Sequence, residues 1–394
     1  MRPDIAFFIC GLVNNVIYVI FLSAASDIFH GLEGLVLIAD IIPALFSKSL
    51  SPYINLPYDT RFAICVFLSI SALLLNTFHN IDASLSGVVL ASFSSGLGEA
   101  SFLALSSQYP KAITGWFSGT GMAGLAGSFL YFFFTTVCRL SKPTTMLIFA
   151  PAPLALFFAY YTGLRKTNTE SVESLVQNDI QMKMETLQDK FKIVSYAVVP
   201  FMIPLFLVYY SEYVINQGVL PTIIFEVNEN SFFKKGRDYY VVYQMLYQVG
   251  VFISRSSVSF YRIPHYKYLY LLSGLQFVNV WILIAQSMFR YMGFYPVCLV
   301  ILYEGLLGGS TYANAFACLL DFNPVGEDAA YEQVVDLDVE EEVDAVILDT
   351  NGKSVREFLM GAVSLADTFG ITVSGFTSLF LAPFLCSYSG MHCG

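Results

Sequence analysis

The chain has 394 residues, 56% of them hydrophobic and 13% charged, about half the charged share of a soluble globular protein, so water cannot be its only solvent. Its formal net charge is −10, yet residues 321–352 hold eleven of the thirty acids and no Lys or Arg, and without them the balance is +1. The acidity therefore belongs to one solvated loop and gives no basis for a nucleic-acid partner.

About 20 apolar residues are needed to span the hydrocarbon of a bilayer. Runs of that kind, bounded by Pro, Gly or charge, fall near residues 5–25, 33–51, 61–79, 84–107, 115–137, 143–163, 192–216, 239–258, 267–287, 294–320 and 355–386. The first is too long for the core of a signal peptide and is expected to be retained. The sequence thus predicts an all-α membrane protein, a bundle of about eleven transmembrane helices. It divides into a six-helix half at 1–163, a cytosolic linker at 164–191, and a second half at 192–394 that contains the acidic cytosolic loop 321–352. With the N-terminus in the cytosol, fourteen Lys and Arg fall on the cytosolic side and six on the other, as the positive-inside rule requires. Eleven crossings then put the C-terminus on the far side.

A faint internal echo accompanies the two halves. The fourth span reads SSGLGEASF (94–102) and the tenth LYEGLLGGST (302–311), each with one carboxylate among glycines, Glu99 or Glu304. The fifth (SGTGMAGLAGS, 118–128) and the eleventh (DTFGITVSGFTS, 367–378) are both rich in small residues. Transporters built from repeats show such matches. The plain alternative is close helix packing, with Gly115 and Gly119 spaced as GxxxG.

A carboxylate at mid-membrane costs roughly 2.5 to 3.5 kcal/mol on insertion scales, so each needs a pocket, a partner or a proton. Asp40, Glu99, Glu212, Glu304 and Asp367 are in this position, as proton carriers or as fasteners between helices. Amides gather near them: Asn14, Asn15, Asn216, Gln217, Asn314, and the pair Gln244 and Gln248, four apart and so on one helix face. In lipid these amides must face protein or a wet path. Lys48 and Arg255 stand at cytosolic ends of spans. Lys48 is expected to snorkel to the headgroups; Arg255 either snorkels or meets a substrate anion or an acid. Seven scattered cysteines show no metal-like spacing and no disulfide framework. Ser118, in FSGTG, is a tempting nucleophile, but all four His (30, 79, 265 and 392) fall in loops or the tail, which leaves it without a base. There is no HExxH, P-loop or Rossmann glycine pattern. No catalytic residue, metal or cofactor is expected.

Several segments resemble the battenin family: FFICGLVNNVIYVIFLSAASDI (7–28), LIADIIP (37–43), ASFSSGLGEASFLALSSQYP (91–110), WFSGTGMAGLAGS (116–128), SEYVINQG (211–218), YQMLYQVGVFISRSS (243–257), LYEGLLGGSTYANAF (302–316) and REFLMGAVSLADTFGITVSGF (356–376). They run from the first span to the last. The resemblance implies a multipass protein of lysosomes or fungal-type vacuoles with a major-facilitator-like fold. It also implies roles in luminal pH balance, in basic amino acid levels and in export of glycerophosphodiesters. Carried over by motif, the transport or proton pathway would use Asn14, Asn15, Glu99, Ser118, Gly119, Thr120, Glu212, Asn216, Gln217, Gln244, Gln248, Arg255, Glu304, Arg356 and Asp367.

Two features depart from the family. A prenylation box would put Cys fourth from the end, where Met391 stands, with Cys393 too late in SGMHCG. The acidic loop is also longer than the family pattern, and the linker shows no acidic dileucine. The partners expected are the bilayer, a small solute (a glycerophosphodiester or a basic amino acid) and protons. The alternative is a membrane scaffold for endosome-to-Golgi traffic that docks trafficking proteins at the linker and the acidic loop.

Overall fold

The computed structural model describes residues 1–23, 33–53, 56–78, 80–165, 187–225, 236–322 and 356–389. Most of the linker, nearly all of the acidic loop, His30, His79 and the C-terminal positions Met391, His392 and Cys393 lie outside the described residues. The elements of the described residues are all helical, with no strand among them. The helices are α1 (Pro3–Ser23), α2 (Glu33–Leu50), α3 (Tyr58–Leu75), α4 (Ile81–Ser106), α5 (Ile113–Phe132), α6 (Lys142–Phe149), α7 (Pro153–Gly163), α8 (Leu187–Ala197), α9 (Ile203–Tyr213), α10 (Gly236–Ser257), α11 (Lys267–Phe289), α12 (Phe294–Leu320) and α13 (Leu365–Ser389).

The starts and breaks follow local chemistry. Asn80 accepts the Asp82 backbone N–H at 3.0 Å to open α4, and Ser141 accepts that of Thr144 to open α6, with Pro143 in the first turn. Pro151 and Pro153 separate α6 from α7 within one apolar stretch. Wide π turns at Phe133–Val137, Val198–Met202 and Val214–Val219 extend α5, join α8 to α9, and carry α9 onward to Thr222. Arg290 closes α11 in the left-handed region, with φ of 50°.

Among the described residues, nine helical stretches are long and apolar enough to cross a membrane. The other two of the eleven expected, α2 and α10, have the length, 18 and 22 residues. Their sequences carry too much charge and amide to qualify: Glu33, Asp40 and Lys48 in α2, and Arg237, Asp238, Gln244, Gln248 and Arg255 in α10. Both lie within the bundle, α2 between α4 and α13, and α10 between α12 and α5. The last stretch is one crossing-length unit, Arg356–Tyr388, broken by a turn at Ser364.

The molecule is turned inside out relative to a soluble protein. Large apolar rings such as Phe67, Phe158, Phe260, Tyr295 and Phe380 are exposed, whereas Asp40, Lys48, Glu212, Glu304 and Asp367 are buried. This is the arrangement lipid demands, since an acyl chain offers no partner to a polar group. Close approach of backbones seals the interior. A side chain at Gly115 or Gly119 of α5 would strike the carbonyl of Asp4 or Phe8 of α1, and one at Gly250 or Gly305 would strike the facing backbone between α10 and α12. The GxxxG spacing thus marks a real helix contact. Among the described residues, Cys10, Cys65, Cys138, Cys298 and Cys318 are free thiols and Cys386 is disulfide-bonded.

Candidate functional site

The charged core is centred on Lys48, in the last turn of α2. Its ammonium lies 2.8 Å from Glu99 Oε2 of α4 and 3.0 Å from Asp367 Oδ1 of α13, and it donates to the Ser364 carbonyl at 3.2 Å. With these three acceptors, all three ammonium protons are used. The expectation that Lys48 snorkels is therefore wrong. Two carboxylates within reach compensate the buried ammonium, and removing them would leave an unpaired charge at depth. Asp367 also accepts the Thr368 hydroxyl at 2.8 Å and the Thr368 backbone N–H.

From Glu99 the network continues through aromatic groups. Tyr312 of α12 donates its hydroxyl to Glu99 Oε1 at 2.9 Å and accepts Trp116 Nε1–H at 3.3 Å. The Arg255 guanidinium lies over the Tyr312 ring, 4.3 Å from its centroid, and donates to Thr120 Oγ1 at 2.8 Å and to the Tyr209 hydroxyl at 3.0 Å. Its Nε is buried without a hydrogen-bond partner, and no carboxylate among the described residues pairs with it as a salt bridge. Of the three alternatives foreseen for Arg255, the headgroups and an acid are not what it meets here. It faces hydroxyls and a ring.

A second group is built around Asn216, held in the π turn Val214–Val219 that follows α9. Its Nδ2 donates to Glu304 Oε1 at 3.0 Å, and its Oδ1 accepts Gln244 Nε2–H at 2.8 Å. The other Glu304 oxygen is buried and unpartnered. Nearby, Tyr247 donates to Glu212, and Glu212 extends over Gly308, where an added methyl carbon would collide with its Oε2. Gln248 occupies the matching space over Gly124, and Asn14 that over Gly98, while Asn14 also donates to Asn15 and to the Ser95 carbonyl.

Asp40 differs from the other acids. It is fully buried, and neither carboxylate oxygen has a hydrogen-bond partner. Gly119 is spent on the α1 contact. Ser118 is half-buried on α5, and the one histidine among the described residues, His265, is exposed in the loop before α11. Gln217 shares the π turn with Asn216. Asn314 donates to Ser310 and accepts the Ile263 backbone N–H, fixing a loop rather than an acid. Arg356 stands apart at the start of the last stretch, its Nε buried without a partner. Reasoning from sequence did not single out Lys48, Tyr209, Tyr247 or Tyr312 for the site. Tyrosine is too frequent here, at 25 residues, for any one to stand out.

A bundle of crossing-length helices with a lipid-facing apolar surface and a charged, amide-rich interior defines a polytopic α-helical membrane protein. A model of the CLN3 protein family matches residues 5–183 and 164–388. The chain belongs to that family, the battenin family. It is 40% identical to Protein BTN1 of Yarrowia lipolytica, over 97% of this chain and 94% of that protein. The corresponding proteins of Kluyveromyces lactis and Saccharomyces cerevisiae are 38% and 36% identical, each over 97% of this chain and 94% of its own length.

Proposed function

We propose that the chain is a proton-linked secondary transporter of the lysosomal or vacuolar membrane, with residues 1–163 and 192–394 as two halves that rock about a site at mid-depth. The observation that carries this reading is the cluster of acids inside the bundle, two of them with unsatisfied oxygens, Asp40 and Glu304. A permanent fastener would have its hydrogen bonds made. An acid with a free oxygen is open to a proton or a solute.

Recurring helix contacts support the two halves. The α1–α5 contact of the first has its counterpart in α9–α13 of the second, and α2–α4 in α10–α12. Between the halves, α5 meets α10, and α2 correspondingly meets α13.

The solute proposed is anionic, a glycerophosphodiester whose export would accompany effects on luminal pH and basic amino acid balance. Arg255 favours it, being a buried guanidinium whose neighbours are hydroxyls and a ring rather than a carboxylate. A basic amino acid would look to Glu99 and Asp367, and Lys48 already occupies both. In reconstituted vesicles Glu304→Gln keeps an acceptor for Asn216 but cannot release a proton. It should abolish pH-driven flux of a glycerophosphodiester, and undiminished flux would remove Glu304 from the coupling role.

A further inference from the structure

The last two turns of α2 read ALFSKSL (44–50) and those of α10 read VFISRSS (251–257). The likeness extends to the atoms. Ser47 and Ser254 each donate Oγ–H to the carbonyl three residues back, Ala44 at 3.0 Å and Val251 at 3.1 Å. Each also faces a glycine on the neighbouring helix, Gly96 of α4 or Gly309 of α12, where a side chain would collide with that serine hydroxyl. The residue after each serine is the base, Lys48 or Arg255, and each reaches into the opposite half. Lys48 takes Asp367 and the Ser364 carbonyl, and Arg255 takes Thr120.

These bases also share one line of contacts. It runs from Asp367 to Lys48, Glu99, Tyr312, Arg255 and Thr120, and it passes between the halves at three of its five links. Charge attraction of this kind is strong when dry and falls severalfold once water enters. A line of such links therefore favours the closed arrangement while it is dry and loses strength once water enters it.

We propose that Lys48 and Arg255 are a repeat-related pair of latches that hold the two halves shut where α2 and α10 end, and that this line parts before a solute passes that end. The inference rests on the two-half transporter reading. It adds which end is closed here and which residues close it.

The test uses the full-length protein in phosphatidylcholine vesicles, spin-labelled through Lys111→Cys and Phe260→Cys with the other cysteines changed to serine. Both label positions are exposed, near that end and in opposite halves. Lys48→Met and Arg255→Met should each add a longer-distance population, raising the open-to-closed ratio tenfold or more, and Lys48→Arg should retain the parent distribution. Glu99→Gln combined with Asp367→Asn serves if Lys48→Met fails to give monodisperse protein, and should open the same end. Distances unmoved by any of these changes in folded protein overturn the latch, whether or not the parent carries solute. A longer population in the latch variants, in a parent that carries no solute, supports the latch while the transport reading fails.

Discussion

At Gly308 one missing carbon decides where a carboxylate sits. The Glu212 side chain lies over the bare backbone of α12, held there by Tyr247, so Gly308→Ala must push it away or spread α9 from α12. A loss of about 1 to 3 kcal/mol is expected from overpacking, read as a lower melting temperature in detergent, together with reduced flux. Unchanged melting would mean that Glu212 has slack which its burial does not suggest. The acids themselves were legible in the sequence, because a charge in an apolar run carries a cost that demands a reason. Lys48 was not, since a base at the end of a span reads as a headgroup contact. Sequence position cannot tell an end that meets water from one closed over by another helix. The paired FSKS and ISRS turns were the available signal.

The helices were legible as apolar runs, α2 and α10 included, which the runs near 33–51 and 239–258 place within a few residues of their observed bounds. Packed against other helices, these two carry charge that a lipid-facing span cannot. The π turn Val198–Met202 carries Pro200, but not every π turn is marked in this way. The turn Val214–Val219 contains no proline and looks like ordinary helix, yet it sets the direction from which Asn216 meets Glu304. Helix contacts were readable only through small residues. Gly250→Leu would drive apart the backbones of α10 and α12, displacing both Tyr247 and Gln244. It should destabilise the protein by at least about 1 to 3 kcal/mol and lower flux more than the same change at Gly274, where nothing lies within 4 Å. Equal effects at the two glycines would argue that this contact is compliant.

For the whole molecule, composition alone gave the fold class, because so apolar a chain has few ways to satisfy its backbone in lipid. Contacts between distant helices could not be read in that way. The pairing of α2 with α13 depends on side chains more than 300 residues apart in sequence, which no local pattern reveals. The scaffold alternative belongs at this scale too. Deleting residues 327–350 removes most of the acidic loop and leaves every described helix intact, so flux should persist. Loss of endosome-to-Golgi traffic with normal flux would assign docking to the loop, and a full-length chain with no flux at all would favour a scaffold outright.

The unequal lengths of the helices bear on how the protein lies in its membrane. α4 and α12 have 26 and 27 residues, about 40 Å of helix against roughly 30 Å of hydrocarbon, whereas α3 has 18, about 27 Å. The longer pair can meet such a slab by leaning, by drawing thicker lipid around them, or by carrying their ends out among the headgroups. Bilayer thickness thereby becomes a mechanical input to the posture of the helices that bear Glu99 and Glu304, and moving the protein between organelles of different lipid content would tune it without any change in sequence.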